Sequence, residues 1–253
     1  MVTLGIDSGS KTTKAVLFDK TGIVKTMLVA TSANPKKSLN GLYHELYSPQ
    51  VDYTVVTGYG RELLAEADQQ VTEITCHAKG SLFLNPDIQG IVDIGGQDSK
   101  VIVLNQQGRV KDFLMNDKCA AGTGRFIENT MGILEIEMDD LDRTIASCKP
   151  VHISSMCTVF AESEVISLLA KDIVPGDIAL GVIHSIAERT AQFAKRLALG
   201  ENIFFSGGLS NSKIMTEILA SYLEIPTKTH PLGQYAGAIG AAVIGWEKCG
   251  ERL

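Results

Sequence analysis

The 253-residue sequence predicts an α/β protein made of two duplicated lobes with a cleft between them. Three observations predict this fold class: strand and helix patterns alternate along the chain, one strand–loop–strand unit occurs twice, and no low-complexity linker separates the copies. Hydrophobic residues make up 45% of the chain, enough for one large core or two small ones. This composition excludes a disordered or fibrous protein.

The first copy begins with three short apolar runs that alternate with turn residues and predict consecutive antiparallel strands, at 3–6, 15–19 and 23–30. The next elements are a predicted helix at 36–46, a strand at 53–57 and a helix at 73–84. The last helix ends before Asn85 and Pro86, because proline disfavours a helical residue ahead of it.

The second copy begins about 86 positions later in the chain. At that offset six residues of a 19-residue window are identical, beginning with Asp7 and Asp93 and ending with Lys25 and Lys111. Chance gives about one or two identities in such a window, so the sequence favours an internal repeat. The alternative is two unrelated hairpins with similar turns.

The second copy is longer because it carries helical insertions, predicted at 122–131, 139–148, 162–171 and 177–199. It closes with a strand at 202–206, a helix near 211–222, a strand near 227 and a helix at 235–248. We therefore predict a first lobe of residues 1–86 plus 236–253. The second lobe is 87–235, with a helical insertion that carries Cys119 and Cys157.

The net charge and the cysteine content indicate which binding partners and which cellular compartment to expect for this protein. A net charge of -6 without a basic block argues against nucleic-acid and anionic-membrane partners, and no apolar stretch of about 18 residues predicts a membrane span. No signal peptide is recognisable, and the odd number of cysteines, five, favours a reducing cytoplasm. In such a compartment, cysteines would be linked by binding a common metal and not by a disulfide bond.

Three glycine-containing loops each follow a predicted strand, at 7–14, 93–100 and 206–211. Glycine lets a phosphate approach the backbone, hydroxyls and N–H groups donate to its oxygens, and an acid can hold hydrated magnesium. One such loop is more often an ordinary hairpin, but three could converge on one nucleotide. Neither a P-loop motif nor a dinucleotide-binding motif is present.

In their order, and in covering nearly the whole chain, these loops resemble the phosphate-1, phosphate-2 and adenosine motifs of the actin, sugar kinase and Hsp70 ATPase superfamily, whose lobes are ribonuclease H-like. The small-residue run 235–242 resembles that superfamily's second connecting helix, in which small residues allow close helix packing. The resemblance implies that Asp7 and Asp93 flank Mg-ATP, and that Gln97 or Glu162 positions the attacking water. It also implies nucleotide contacts by Ser8, Gly9, Ser10, Lys11, Thr12, Thr13, Gly95, Gly96, Gly207 and Gly208.

Cys119 and Cys157 each fall where a helix is predicted to begin. A helix N-terminus lowers the pKa of a thiol and so favours thiolate chemistry, although a lone cysteine is more often a buried small apolar residue. A cubane iron–sulfur cluster takes four thiolates. Two cysteines per chain would supply four across the two-fold axis of a homodimer.

Segments 4–10, 92–100, 116–124, 154–164 and 205–208 resemble the activators of 2-hydroxyacyl-CoA dehydratases and the ATPase subunits of benzoyl-CoA reductases (BadF/BadG/BcrA/BcrD type). The resemblance implies a homodimer that shares one [4Fe-4S] cluster through Cys119 and Cys157. ATP hydrolysis to ADP would drive an electron into a partner CoA-ester dehydratase or reductase, with ferredoxin or flavodoxin as the donor. Cys76, Cys148 and Cys249 match no ligand position and are predicted to be structural.

Two other functions remain open from the sequence. A small-molecule kinase of the same superfamily would use the same ATP loops and add an acceptor pocket with a general base, but would leave Cys119 and Cys157 without a purpose. A non-catalytic ATP-binding regulator or chaperone-like module is the other alternative. The presence of both acid-bearing loops argues against it.

Overall fold

The computed structural model describes residues 1–117, 123–154 and 158–251, with the backbone alone for 158 and 159. Cys119 and Cys157 therefore lie outside the described residues. The described part contains two five-stranded mixed sheets with helices packed on them, which confirms the predicted α/β class. Within the described ranges, no helix has both the length and the apolar character that crossing a bilayer requires.

The first sheet is built from the N-terminal part of the chain. Its strands are β1 (Val2–Ser8), β2 (Thr12–Asp19), β3 (Gly22–Ala30), β4 (Tyr53–Thr57) and β5 (Gln69–Gln70). The helices of this part are α1 (Pro35–Leu46) and α2 (Glu73–Leu84). The strand order is β3-β2-β1-β4-β5, with β1 antiparallel to β2 and parallel to β4.

The second sheet contains β6 (Gly90–Ile94), β7 (Ser99–Leu104), β8 (Val110–Asn116), β9 (Ile203–Gly207) and β10 (Thr227–Lys228). The remaining helices are α3 (Gly124–Ile133), α4 (Leu141–Ile145), α5 (Thr158–Leu169), α6 (Pro175–Ala194), α7 (Lys213–Leu223) and α8 (Ala236–Gly250). The sheet order β8-β7-β6-β9-β10 reproduces that of the first sheet strand for strand. The duplication predicted from the sequence is therefore present in the fold.

The two sheets also share their register. Asp7 on β1 lies opposite Lys14 on β2, and Asp93 on β6 lies opposite Lys100 on β7. β1 and β6 are the buried middle strands of their sheets, and each aspartate is the next-to-last residue of its strand, so it lies at the carboxyl end of that strand. Ligand sites of open α/β sheets form at this end.

Helices α2 and α8 pack against each other between the two sheets. Helix α8 also contacts β1, β2 and β4, whereas α2 contacts β7 and β8 of the second sheet. A Cβ atom on Gly80 or Gly240 would overlap the backbone of the facing helix, so only glycine permits this distance. The close packing predicted for the small-residue run is observed. The predicted lobe boundary at 86 assigns α2 to the first lobe, although α2 also covers the second sheet.

Beyond shifts of a few residues at the ends of other elements, such as α5 and β2, three differences from the sequence-based expectation stand out. The predicted helix 139–148 is a 3-10 turn at Met138–Asp140 followed by the five-residue α4. Helix α6 begins at Pro175, whose fixed φ suits the first helical position, and it ends at Ala194 rather than at 199. The two-residue strand β5 was missed, because Gln69 and Gln70 are polar and too few to form a pattern.

Candidate functional site

A cleft of about 460 Å³ lies at the carboxyl ends of the two middle strands. The three predicted loops all contribute to its wall, together with the first turns of α2 and α3. The predicted site residues that line it are Asp7, Gly9, Ser10, Lys11, Thr12, Asp93, Gly95, Gly96, Gln97, Gly207 and Gly208. The fold thus brings together loops that are far apart in the chain.

The two aspartates lie on either side of a histidine that α2 contributes. Asp7 is 5% exposed and Asp93 is 2% exposed. His77 Nε2 lies 4.0 Å from Asp7 Oδ2, and His77 Nδ1 lies 3.4 Å from Asp93 Oδ1. A Cβ atom on Gly58 or Gly237 would overlap the Asp7 carboxylate, so glycines on two sides make room for it.

The Asp93 carboxylate is ionised despite its burial. Burial by itself raises the pKa of Asp93, but His77, Lys100 and a hydrogen bond donated by Ser206 Oγ to Oδ1 (2.7 Å) outweigh it and hold the pKa at about 2. Ser206 is the residue of β9 that lies beside Asp93 in the parallel register. The sheet itself therefore supplies the donor that keeps this carboxylate charged.

Lys100 connects three carboxylates at the floor of the cleft. Its Nζ lies 2.9 Å from Asp98, 3.2 Å from Glu73 and 3.5 Å from Asp93. Burial alone would lower the pKa of Lys100, but these carboxylates raise it above its usual value. Lys100 thus ties the start of α2 to the second phosphate loop and stays charged.

The third loop depends on glycine at the end of β9. Gly207 has a φ of 94°, and a Cβ atom there would overlap the carbonyl of Ile94 on the neighbouring strand β6. Any other residue would strain the backbone and push the two strands apart. This close approach brings the third loop up to the second one.

The second phosphate loop is hydrogen-bonded to the start of α3. The Gly124 N–H donates to the Gly95 carbonyl (2.8 Å), and the Arg125 N–H donates to the Gly96 carbonyl (2.9 Å). These donors are among the N–H groups that a helix leaves without an intrahelical partner. The helix that follows the Cys119 segment is therefore fixed to a loop of the cleft.

Three predicted residues lie outside the set of described residues that line the cleft. Ser8 is buried, and its hydroxyl has no hydrogen-bond partner among the described residues. The Thr13 hydroxyl forms a hydrogen bond with the Thr31 hydroxyl (3.0 Å). Glu162 is exposed on α5. Of the two candidates for positioning water, only Gln97 lines the cleft.

Among the cysteines outside the predicted cluster pair, Cys76 and Cys148 carry free thiols, and structural roles for Cys76, Cys148 and Cys249 stay a prediction. Burial raises the pKa of Cys76 to about 12, and it also raises the pKa of Cys148. Neutral thiols are poor metal ligands. Cys249 is buried near the end of α8.

Sequence reasoning missed His77, Glu73, Lys14 and Lys100 as cleft residues. Two signals in the sequence could have indicated them. Glu73 and His77 are four positions apart on one predicted helix, and so share a face. An aspartate seven positions before a lysine also occurs in both copies, at Asp7 and at Asp93.

The donor set of the cleft suits a magnesium–nucleotide complex. Among the described residues, no group of three or more His, Cys, Asp or Glu side chains could hold a metal by itself. Mg²⁺ commonly takes one or two carboxylates and completes its shell with phosphates and water, which Asp7 and Asp93 would allow. Of the described lining residues six are acidic and three are lysines, so a polyanion would need the charge of a cation to enter.

Comparison with known proteins gives a family for the whole chain. The model of the BadF/BadG/BcrA/BcrD ATPase family matches residues 4–245. The protein named uncharacterized protein YjiL of Escherichia coli K12 is 47% identical over 244 residues, 96% of each chain. The activator of lactoyl-CoA dehydratase of Anaerotignum propionicum is 43% identical over 256 residues, 98% of each chain.

Solved structures show the same relationship. The activator of the 2-hydroxyisocaproyl-CoA dehydratase from Clostridium difficile, solved with bound ADPNP, is 37% identical with a TM-score of 0.93 and covers 100% of this chain and 97% of its own. A ROK family glucokinase from Streptomyces griseus matches with a TM-score of 0.60 at 13% identity, covering 98% of this chain and 100% of its own. The latter likeness shows the fold alone.

Proposed function

This chain belongs to the BadF/BadG/BcrA/BcrD ATPase family, and we propose that it is an ATP-hydrolysing activator. In this proposal it injects a low-potential electron into a partner 2-hydroxyacyl-CoA dehydratase or benzoyl-CoA reductase-type enzyme. The observation that carries the proposal is the direct hydrogen bonding between the second phosphate loop and the helix that follows the Cys119 segment. Through these hydrogen bonds, a change at the nucleotide phosphates would be transmitted directly to the helix next to Cys119, a predicted ligand of the electron-carrying cluster.

The nucleotide part rests on the two buried carboxylates and the three glycine loops of the cleft. Asp7 and Asp93 would hold Mg²⁺, and the loops at Gly9–Thr12, Gly95–Gly96 and Gly207–Gly208 would hold the phosphates and the nucleoside. Gln97 would orient the water that splits ATP into ADP and phosphate. The family name and the relative solved with ADPNP support an ATPase site here.

The electron-transfer part rests on Cys119 and Cys157, which lie outside the described residues. In sequence Cys119 lies between β8 and α3, and Cys157 immediately precedes α5. Helices α3 and α5 pack against each other, which supports bringing the two segments to one surface. Two copies of the chain would supply the four thiolates of one [4Fe-4S] cluster, a one-electron carrier of low potential.

Coupling of ATP hydrolysis to electron transfer would follow from the hydrogen bonds between the second phosphate loop of the cleft and helix α3. Opening or closing of the proposed lobes, 1–86 plus 236–253 and 87–235, would move Gly95 and Gly96 together with α3. A rotation of α3 and α5 would change the surroundings of both cysteines, because hydrogen bonds and solvent access tune cluster potentials. Ferredoxin or flavodoxin would resupply one electron for each electron delivered. We place this chemistry in an anaerobic cytoplasm, since an exposed cluster is oxygen-labile.

The test is ATP-dependent activation of a dehydratase. Anaerobic, dithionite-reduced protein, freed of reductant, is mixed with MgATP and the lactoyl-CoA dehydratase of Anaerotignum propionicum, whose own activator serves as the positive control. We expect the dehydratase to turn over its substrate only when ATP is present. The Asp93→Ala variant should lose both ATP hydrolysis and the ability to activate the dehydratase. Normal electron delivery by a variant that cannot hydrolyse ATP would contradict the proposed coupling.

A further inference from the structure

Lys11 and Glu128 form an ion pair across the mouth of the cleft. Lys11 lies in the loop between β1 and β2, and Glu128 lies on α3 in the second half of the chain. Lys11 Nζ is 2.5 Å from Glu128 Oε2, and both side chains line the cleft. The pair therefore bridges the proposed lobes at the site where nucleotide phosphates are expected.

The Lys11 side chain is held between the two phosphate loops. A Cβ atom on Gly96 would overlap the aliphatic part of Lys11, so this side chain lies directly on the second loop. The helix that presents Glu128 is itself bonded to that loop through the Gly124 and Arg125 N–H groups. Glu128, one turn further along α3, is thus fixed relative to the second loop and holds the lysine of the first.

A lysine paired with a carboxylate is less available to a phosphate. A carboxylate and a phosphate each accept charge-assisted hydrogen bonds from an ammonium group. A phosphate that binds Lys11 must therefore displace Glu128 or share the ammonium with it. The side chains of the pair are 41% and 42% exposed, and exposed pairs are weak because water screens them. Such a competitor changes affinity several-fold and does not block the site.

We infer that Glu128 is a positioning residue of the nucleotide site, which holds the Lys11 ammonium against the second phosphate loop and lowers nucleotide affinity by competing with the phosphates for it. The inference rests on the proposed binding of ATP in this cleft. Helix α3 thus contacts both phosphate loops: the second loop through backbone hydrogen bonds and the first loop through the Lys11–Glu128 ion pair.

A double-mutant cycle tests the inference on the full chain, purified anaerobically. The dissociation constant of Mg-ADPNP is measured by calorimetry for wild type, Glu128→Gln, Lys11→Met and the double variant. We expect Glu128→Gln to lower the dissociation constant about two- to fivefold, in line with the strength of exposed pairs. In the Lys11→Met background the same substitution should change it by less than about 1.5-fold.

The matched control is Glu224→Gln, which breaks an inter-element ion pair with Lys195 (3.4 Å) outside the cleft and should leave binding unchanged. Thermal unfolding of every variant verifies that it is folded. An equal gain from Glu128→Gln with and without Lys11, or no gain at all, overturns the inference and leaves the proposed function standing. Failure of wild type to bind Mg-ADPNP overturns both.

Discussion

Asp93 and Lys100 are cross-strand partners on β6 and β7, with Lys100 Nζ 3.5 Å from Asp93 Oδ2. Both side chains are almost fully buried, at 2% exposure each. A buried carboxylate without a cation is costly, because the low-dielectric interior does not solvate its charge. The pair therefore allows an ionised aspartate at the floor of the cleft.

Removing the cation should destabilise the protein strongly. We expect Lys100→Met to lower the free energy of unfolding by about 3–5 kcal/mol, because the buried Asp93 carboxylate loses a cation that it shares with the partly exposed Asp98. Urea unfolding of the full chain measures the change. The matched control is Lys79→Met, which breaks a surface pair with Glu247 and should cost less than about 1 kcal/mol. A loss no larger than that of the control would contradict this role for Lys100.

The crossing of α2 and α8 should tolerate no side chain. Gly240→Ala is expected to lower the free energy of unfolding by about 1–3 kcal/mol, since the added methyl group overlaps the Cys76 carbonyl. Gly41→Ala is the control, because Gly41 lies in helix α1 and, apart from its neighbours and the backbone of that helix, no atom of the described residues lies within 4 Å of the added Cβ. It should stabilise the protein by about 0.5–1 kcal/mol. Equal effects of the two substitutions would show that the helices do not pack this closely.

The Asp7 carboxylate should be required for magnesium-dependent hydrolysis and not for folding. We expect Asp7→Asn to reduce the rate of ATP hydrolysis about 100- to 1,000-fold, as removal of one electrostatic group from a reacting centre does. The assay titrates MgCl₂ at fixed ATP and measures phosphate release. Asp19→Asn should keep the wild-type rate, because Asp19 lies at the end of β2 and, among the described residues, its side chain accepts its hydrogen bonds from Thr21 of its own turn. A normal rate and magnesium dependence in Asp7→Asn would remove Asp7 from the site.

The elements that the sequence predicted well are those that local patterns determine. The strand–loop–strand units at Asp7 and Asp93 follow from alternating apolar residues and turn glycines, and their repetition gave the duplicated architecture. The sequence also placed Gly207 in one of three glycine loops that could converge on a nucleotide, and Gly207 lines the cleft, but its close approach to the Ile94 carbonyl was not foreseen.

Tertiary packing accounts for what the sequence did not indicate. His77 belongs to the site only because α2 lies between the two sheets, which no local pattern of α2 determines. Lys11 was expected as a nucleotide contact, but its partner Glu128 is 117 positions away in the chain. The family resemblance offered Glu162 as an alternative to Gln97 for positioning water, and in the structure Glu162 is exposed on α5 and is not among the described residues that line the cleft.

The most direct test of the proposed function is the iron and acid-labile sulfide content of strictly anaerobic protein, for wild type, Cys119→Ala and the control Cys249→Ala. The account predicts about four irons per two chains in wild type and in Cys249→Ala, their loss in Cys119→Ala, and bleaching of the visible absorbance by air. Absence of iron from carefully reconstituted wild-type protein, or full iron content in Cys119→Ala, would contradict it.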